Sequence, residues 1–473
     1  MLKITYALAA TLVATSLFAS DAIEGLIHSR VPTTNSVGQV TLATRLTQNS
    51  TLPAVIFSGS AYTVGITITP TTTLPEGEQD IAVYPGNPNT FLAAISDFSL
   101  RNGSNTTKYC WSFNGGQTWQ QNFVPLINDS PATSDGLIWP YNSDPVVTID
   151  NNGYAYLANL YFNSSSTNNS NGLYVSVLNL NSGQTFIQNQ TIPVLVNTNP
   201  STNIVEDKEW ISVDNTNTTS AGNVYVSWTH FVGNSSFIYF SRSTNHGQTW
   251  STPILISNTS QSVQGSNVGV GPAGEIYIIF ENFYVQNQRQ QFLCKSVDTG
   301  LTFTAPIPIS PIFNELSFSS TYRKNSFPSL AISPVNGNIY VLYSDMSNTA
   351  KVEFIKSSDG GNTFTAPLTL IDTPKGQQLM PAISVDNNGI IHTCWFDTRN
   401  GRNASTLDIY ASRSLDNGQS FSPNIRVTSK SFSSGHASFI GDYTGITSWN
   451  GVASPVWNNG GFNNGQLQTT NLK

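Results

Sequence analysis

The sequence predicts an all-β protein: a β-propeller, with seven four-stranded blades favoured over six, closed by pairing of N- and C-terminal strands. Three observations carry this. A short phrase recurs six times, the text between copies reads as pairs of short strands, and helical periodicity is almost absent.

The phrase is clearest in "SRSTNHGQTW" (Ser241–Trp250), "SSDGGNTF" (Ser357–Phe364) and "SLDNGQSF" (Ser414–Phe421). Further copies are "SVDTGLTF" (Ser296–Phe303), "SFNGGQTW" (Ser112–Trp119) and a worn "NLNSGQTF" (Asn179–Phe186). The acidic or amide position falls at Asn114, Asn181, Asn245, Asp298, Asp359 and Asp416, at intervals of 53 to 67 residues, the size of one blade. Between copies, "DPVVTIDNNGYAYLANL" (Asp144–Leu160) and "PAISVDNNGIIHTCWFD" (Pro381–Asp397) share one grammar. A strand ends at a Gly/Asn turn, and a β-branched and aromatic strand follows and ends in an acid. A third strand such as "FIYFSRS" leads into the phrase and a fourth such as "TPILIS" leaves it. Four strands per unit make a propeller blade.

The phrase is then the turn between the third and fourth strands. Its Asp or Asn accepts backbone N–H groups, its Gly supplies a positive φ, its Ser or Thr adds a side-chain bond, and its Phe or Trp plugs the turn. One further period beyond Asp416 reaches the last residue, Lys473, so the tail from Phe439 supplies three strands and no seventh copy. Something must donate the missing fourth strand, and the alternating "GQVTLATRLT" (Gly38–Thr47) suits.

The residues also resemble a known family. The repeated phrase is similar to the Asp-box (BNR) repeat, and from Glu78 onward the chain resembles the Asp-box propellers of the sialidase superfamily. In that family the boxes lie at the rim and stabilise blades. The resemblance implies a glycan as ligand. Its catalytic members are six-bladed and use a Tyr nucleophile paired with Glu, an Asp acid/base and three Arg gripping a carboxylate. Here "SRVP" (Ser29–Pro32) only echoes the family's Arg-Ile-Pro signature, no motif fixes an arginine triad, and Tyr443 and Tyr322 are the loosest of nucleophile candidates. No catalytic residue is therefore assigned.

Composition narrows the partners. A net charge of −7 with no basic run argues against nucleic acid and anionic membrane surfaces. Lys3, the apolar Ile4–Phe18 and the small residues around Ala19–Ala22 read as a secretory signal peptide over 1–22, leaving 23–473 as one propeller domain. The expectation is a secreted, cell-surface or periplasmic protein without a transmembrane span in its mature chain. Cys110, Cys294 and Cys394 lack metal-site spacing and read as buried small hydrophobes.

Propellers bind ligands at the channel mouth, where innermost strands begin and second strands end. Aligning units on the turn glycine places Glu78, Asp144, Lys208 and Asp442 at comparable positions, with Asp207 and Glu209 flanking Lys208. Second strands end at Asp97, His230, Glu281, Asp345 and Asp397, with Arg399 close by, and Arg323 precedes an innermost strand. The candidate ligand-binding set is Glu78, Asp144, Asp207, Arg323, Asp345, Asp397, Arg399 and Asp442. The plainer alternative is that these groups terminate strands and solvate loops. No cofactor or metal is called for, although so many acids at one mouth leave room for Ca²⁺. Three functions stay open: an exported glycan-binding propeller, an exo-glycosidase of sialidase type, and an adhesive or structural surface protein.

Overall fold

The computed structural model describes residues 66–69, 76–101, 104–125, 127–128, 138–139, 141–162, 171–180, 186–197, 204–257, 262–283, 288–434, 439–460 and 466–473. They form seven four-stranded antiparallel blades in a ring. The innermost strands, in chain order, are Glu76–Val83, Tyr141–Ile149, Ile204–Val213, Val263–Val270, Ser329–Ile332, Gln378–Val385 and Gly445–Trp449. Blades are numbered in that order below. The signal-peptide reading of 1–22 and the domain start at 23 lie outside the described residues.

Why blades rather than one flat sheet follows from burial. Every residue of Ile391–Asp397, the second strand of blade 6, is buried on both faces. Apolar groups pack between neighbouring blades: Tyr340, Leu342 and Phe354 of blade 5 meet Ile383, Ile391 and Trp395 of blade 6. A strand covered on both sides reads as a continuous apolar run rather than an alternation.

The ring closes at blade 7. The tail supplies Gly445–Trp449, Val452–Asn458 and Leu467–Thr469, the three strands expected. The fourth is Ile66–Thr67, paired as Ile66↔Thr469 and Thr67↔Gln468. Gly38–Thr47, the strand expected there, lies outside the described residues, and its position is taken. The segment that fills it lies directly before blade 1, where Thr69 Oγ1 accepts from Leu467 N (2.9 Å) and donates to Glu76 of the first innermost strand (2.9 Å).

Five copies of the repeated phrase form the turn between third and fourth strands, and the core of the sixth, 181–185, lies outside the described residues. In the box of blade 4, Asp298 Oδ1 accepts from Ser296 Oγ (2.7 Å) and Thr302 N (2.9 Å), and Oδ2 accepts from Thr302 Oγ1 (2.5 Å). In blade 1, Asn114 keeps the backbone bond from Thr118 N (2.9 Å) but reverses the other, donating from Nδ2 to Thr118 Oγ1 (2.8 Å). The glycine is needed for its φ and for room: Gly418 has φ +74, and a Cβ there would come within 2.5 Å of the Phe354 ring of blade 5.

The boxes also stitch blades together, which the sequence pattern did not show. Arg242, Lys295 and Lys356 close the third strands of blades 3, 4 and 5. Each donates to a carbonyl in the box of the next blade: Thr299 O (2.6 Å), Gly360 O (3.1 Å) and Asn417 O (2.8 Å). Phe303 and Phe421 lie edge-on against Phe240 and Phe354 of the preceding blades, with centroids 4.9 and 5.0 Å apart. The plug is therefore shared between blades.

The hydrogen bonds from Thr302, opposed only weakly by burial, hold the Asp298 carboxyl down at about 2. A carboxyl lowered on folding stabilises above its unfolded value near 4 and loses that contribution as pH falls through 2. Thermal melts should show Asp298→Ala below wild type at pH 6, with the gap narrowing toward pH 2. Asp298→Asn should sit near wild type, because Asn114 already serves that position. A gap independent of pH would contradict the turn's electrostatic account.

Candidate functional site

On the ring axis, the sequence builds the same irregularity into blade after blade. The innermost strands of blades 1, 2, 3, 4 and 6 each carry a β-bulge, where two residues face one on the second strand. The first bulged residue is left-handed in each: Glu78 (φ 59), Asp144 (φ 56), Lys208 (φ 54), Gly265 (φ 69) and Met380 (φ 50). Four of these are not glycine, and each costs roughly 1–2 kcal/mol in that conformation. In blade 7 the left-handed residue is Gly441 (φ 97), so Asp442 stands one position beyond the alignment made from sequence. Asp442 precedes its innermost strand, whereas the other three lie within theirs.

These bulges re-aim side chains so that charges from several blades meet. Lys208 Nζ of blade 3 lies 2.9 Å from Glu78 Oε1 of blade 1, 2.7 Å from Asp144 Oδ2 of blade 2 and 2.6 Å from Asp442 Oδ2 of blade 7. Arg323, in the segment leading into blade 5, also binds Asp442 Oδ2, and Asn325 Nδ2 donates to Asp442 Oδ1 (3.1 Å). Lys208 is only 5% exposed and the three carboxylates no more than that. Its ammonium lies over the Tyr443 ring, 5.4 Å from the centroid, and that ring stands edge-on to Trp210.

Five carboxyls (Glu78, Asp144, Asp207, Glu209 and Asp442) share this region with two cations, Lys208 and Arg323, so they cannot all ionise alike. Burial, reinforced by Asp144, holds Glu78 well above the usual carboxylate range. Burial pushes Asp144 up as well, but Lys208 and its hydrogen bonds bring it down to about 2. Asp207 is raised to about 7 by burial, over the opposing pull of Lys208. Burial lowers Lys208, yet Asp144, Asp442 and Glu78 together lift it well above its ordinary value.

Of the eight residues expected at the mouth, five are therefore brought to the axis: Glu78, Asp144, Asp207, Arg323 and Asp442. Asp397 and Arg399 form a separate cluster in blade 6. Arg399 Nε donates to Asp397 Oδ2 (2.9 Å), Nη1 to Asp372 (2.7 Å) and Nη2 to Asn424 (3.1 Å), and the guanidinium stacks 4.0 Å from the Tyr410 centroid. Asp345 of blade 5 accepts from Asn314 N (3.2 Å). The reason is positional: a second strand lies one place out from the axis, so an acid at its end finds partners within its own blade or, as Asp345 does with Asn314, on the adjacent edge of blade 4. Asp97 with Lys108 (2.7 Å) and His230 with Glu206 (2.8 Å) repeat this in blades 1 and 3.

Beside the network, the innermost segments of blades 3 to 7 line a small, half-open chamber. Its wall includes Trp210, Phe327 and Tyr443 together with Glu209, Ser266 and Asn267. None of these six stood in the expected set. The run "DKEW" (Asp207–Trp210) carried the only signal, since Lys208 aligns with Glu78 and Asp144. The aromatic wall had none.

The equipment for sialidase-type hydrolysis is not assembled among the described residues. Arg323 is the arginine at the axis. Arg242, Arg289, Arg399 and Arg426 are bound to Thr299, Glu281 and Glu315, Asp397 and Asp372, and Asp408. Tyr443 donates its hydroxyl to Pro145 O (3.0 Å) and Tyr322 donates to Ala404 O (2.8 Å). Burial raises both phenols above their ordinary value, the opposite of what a nucleophile needs. No group of three or more His, Cys, Asp or Glu among the described residues is arranged to hold a metal ion. At the point where acids converge, the Lys208 ammonium occupies the centre.

Fold and site together define the class: a seven-bladed β-propeller whose axis is pinned by a buried ion network. No protein-family model and no curated protein matches the chain. Among solved structures it is similar to a Penicillium chrysogenum alpha-L-arabinanase complexed with arabinobiose (12% identity, TM-score 0.47, 87% of this chain and 99% of that one). It is also similar to a protein of unknown function from Dyadobacter fermentans (12%, 0.46, 87% and 98%). A leech intramolecular trans-sialidase is a third (12%, 0.43, 87% and 70%). Likeness of this degree assigns no substrate to this chain.

The separation of the two clusters is testable. Unfolding of Arg399→Ala, Asp442→Asn and the double variant should give effects that add within about 0.5 kcal/mol, as for sites without shared partners. A coupling well beyond that would mean that the blade 6 cluster belongs to the axial site after all.

Proposed function

We propose that the protein is exported and binds a glycan at the axial chamber without cleaving it. The observation that carries this is the wall itself. The rings of Trp210, Phe327 and Tyr443 lie beside the polar groups of Lys208, Asn267 and Asp442 in one concave site. Flat apolar rings beside a few fixed polar groups suit the faces and hydroxyls of a sugar. Export is supported by the signal-peptide pattern over 1–22. Binding without hydrolysis is favoured because the axial phenol of Tyr443 holds its proton and, among the described residues, one arginine, Arg323, reaches the axis.

A glycan array with calorimetry on the hits tests the reading, run beside a fluorogenic sialoside assay on the same preparation. At least one glycan class should bind, Trp210→Ala or Asn267→Ala should weaken it about tenfold or more with the melting midpoint monitored, and the sialoside should not turn over. Turnover above background would replace this reading with the hydrolase one. An array without hits, or hits indifferent to both substitutions, would remove the chamber as the binding site.

A further inference from the structure

The chamber wall carries two groups that the ion network leaves unused. Both oxygens of Glu209 lack a hydrogen-bond partner in the protein, although the residue is only 1% exposed. Ser266 Oγ, on the neighbouring bulge of blade 4, is equally without a partner and 3% exposed. Unpartnered buried polar groups are rare in native proteins and call for a cause. Here they border the same chamber.

Charge narrows what they face. Lys208 is spent on Glu78, Asp144 and Asp442, and Arg323 on Asp442, so Glu209 and Asp207 are acids beyond what the two cations pair with. Burial, with Asp144 and Asp207 nearby, holds the Glu209 carboxyl well above the usual range, and a cation beside it would favour the ionised form. An anionic ligand would instead favour the neutral form of the Glu209 carboxyl and gain no charge-assisted bond from it. A metal ion is poorly served: Ca²⁺ takes six to eight oxygens, whereas Glu209 and a few neutral oxygens line the chamber beside an Asp442 carboxylate already engaged by Lys208 and Arg323. A primary ammonium brings three donors and a full positive charge, and its hydrogen bonds to a carboxylate are of the strong, charge-assisted kind.

Building on the proposed glycan function, we infer that the chamber selects an amino sugar, whose free ammonium group is received by Glu209 and Ser266. The ligand class is thus cationic, opposite in charge to the carboxylate sugars that sialidases recognise.

The test is calorimetry on the full chain with two trisaccharides, β-1,4-linked glucosamine and its N-acetylated counterpart, which differ only at the C2 nitrogen, an ammonium in one and a neutral acetamide in the other. CaCl₂ is a third titrant. The glucosamine trisaccharide should bind at least about tenfold more tightly than the N-acetylated one. Glu209→Gln should abolish that preference, and Ser266→Ala should reduce it with little disturbance to folding, should the first variant fold poorly. Equal binding of the two sugars would overturn the inference while leaving the glycan reading standing. Binding of Ca²⁺ with silence from both sugars would overturn it in favour of an inorganic cation. If neither trisaccharide binds but other glycans do so through Trp210, the amino-sugar assignment falls alone.

Discussion

One ammonium group holds the ring together. Lys208 reaches from blade 3 to carboxylates of blades 1, 2 and 7, and through Asp442 to Arg323 and Asn325 ahead of blade 5. Neighbouring blades pack on one another through apolar faces and box turns. The axial network, with Tyr443 of blade 7 donating to Pro145 O of blade 2, joins non-neighbouring blades. Because Lys208 is raised above its ordinary value and Asp144 is lowered to about 2, the pair stays charged across the whole range between mild acid and alkali. The left-handed bulges that aim these groups are strained, and that strain is tolerated because the ion contacts and the surrounding strands over-determine it.

Periphery and axis thus divide the work. At the rim, Arg242, Lys295 and Lys356 and the box aromatics repeat one joint from blade to blade. At the axis nothing repeats in kind: the same bulge position holds Glu78, Asp144, Lys208, Gly265 and Met380 in turn. Repetition suits a structural joint, while five different residues at one position make an asymmetric centre. Its acid-rich side and aromatic wall face one chamber, which is where a ligand site can arise without disturbing the joints.

Much of the fold was legible because the signal was local. A box turn is eight residues long, and its hydrogen bonds run from Ser296 to Thr302 without help from elsewhere. Spacing of such turns then counts blades. The closing strand was harder: Ile66–Thr67 is two residues long, too short to show alternation, and it is chosen by its place directly before blade 1. The site was legible by half for the same reason. Glu78, Asp144 and Lys208 align through the turn glycine, so their convergence could be read. Asp397 and Arg399 align as well as they do, yet they lie on a second strand and bind within blade 6. Phe327 left no pattern, and Glu209 and Trp210 stood out only as neighbours of Lys208, because the three meet only when blades 3 to 7 close around the axis.

The most direct test of this account is equilibrium unfolding of Lys208→Met beside wild type, at pH 7 and again near pH 4. Removing the ammonium leaves buried carboxylates unpaired, so stability at pH 7 should fall by about 3–5 kcal/mol. Part of that loss should return near pH 4, where the stranded carboxyls can take up protons. An unfolding curve at pH 7 superimposable on that of wild type would contradict the claim that Lys208 locks the ring.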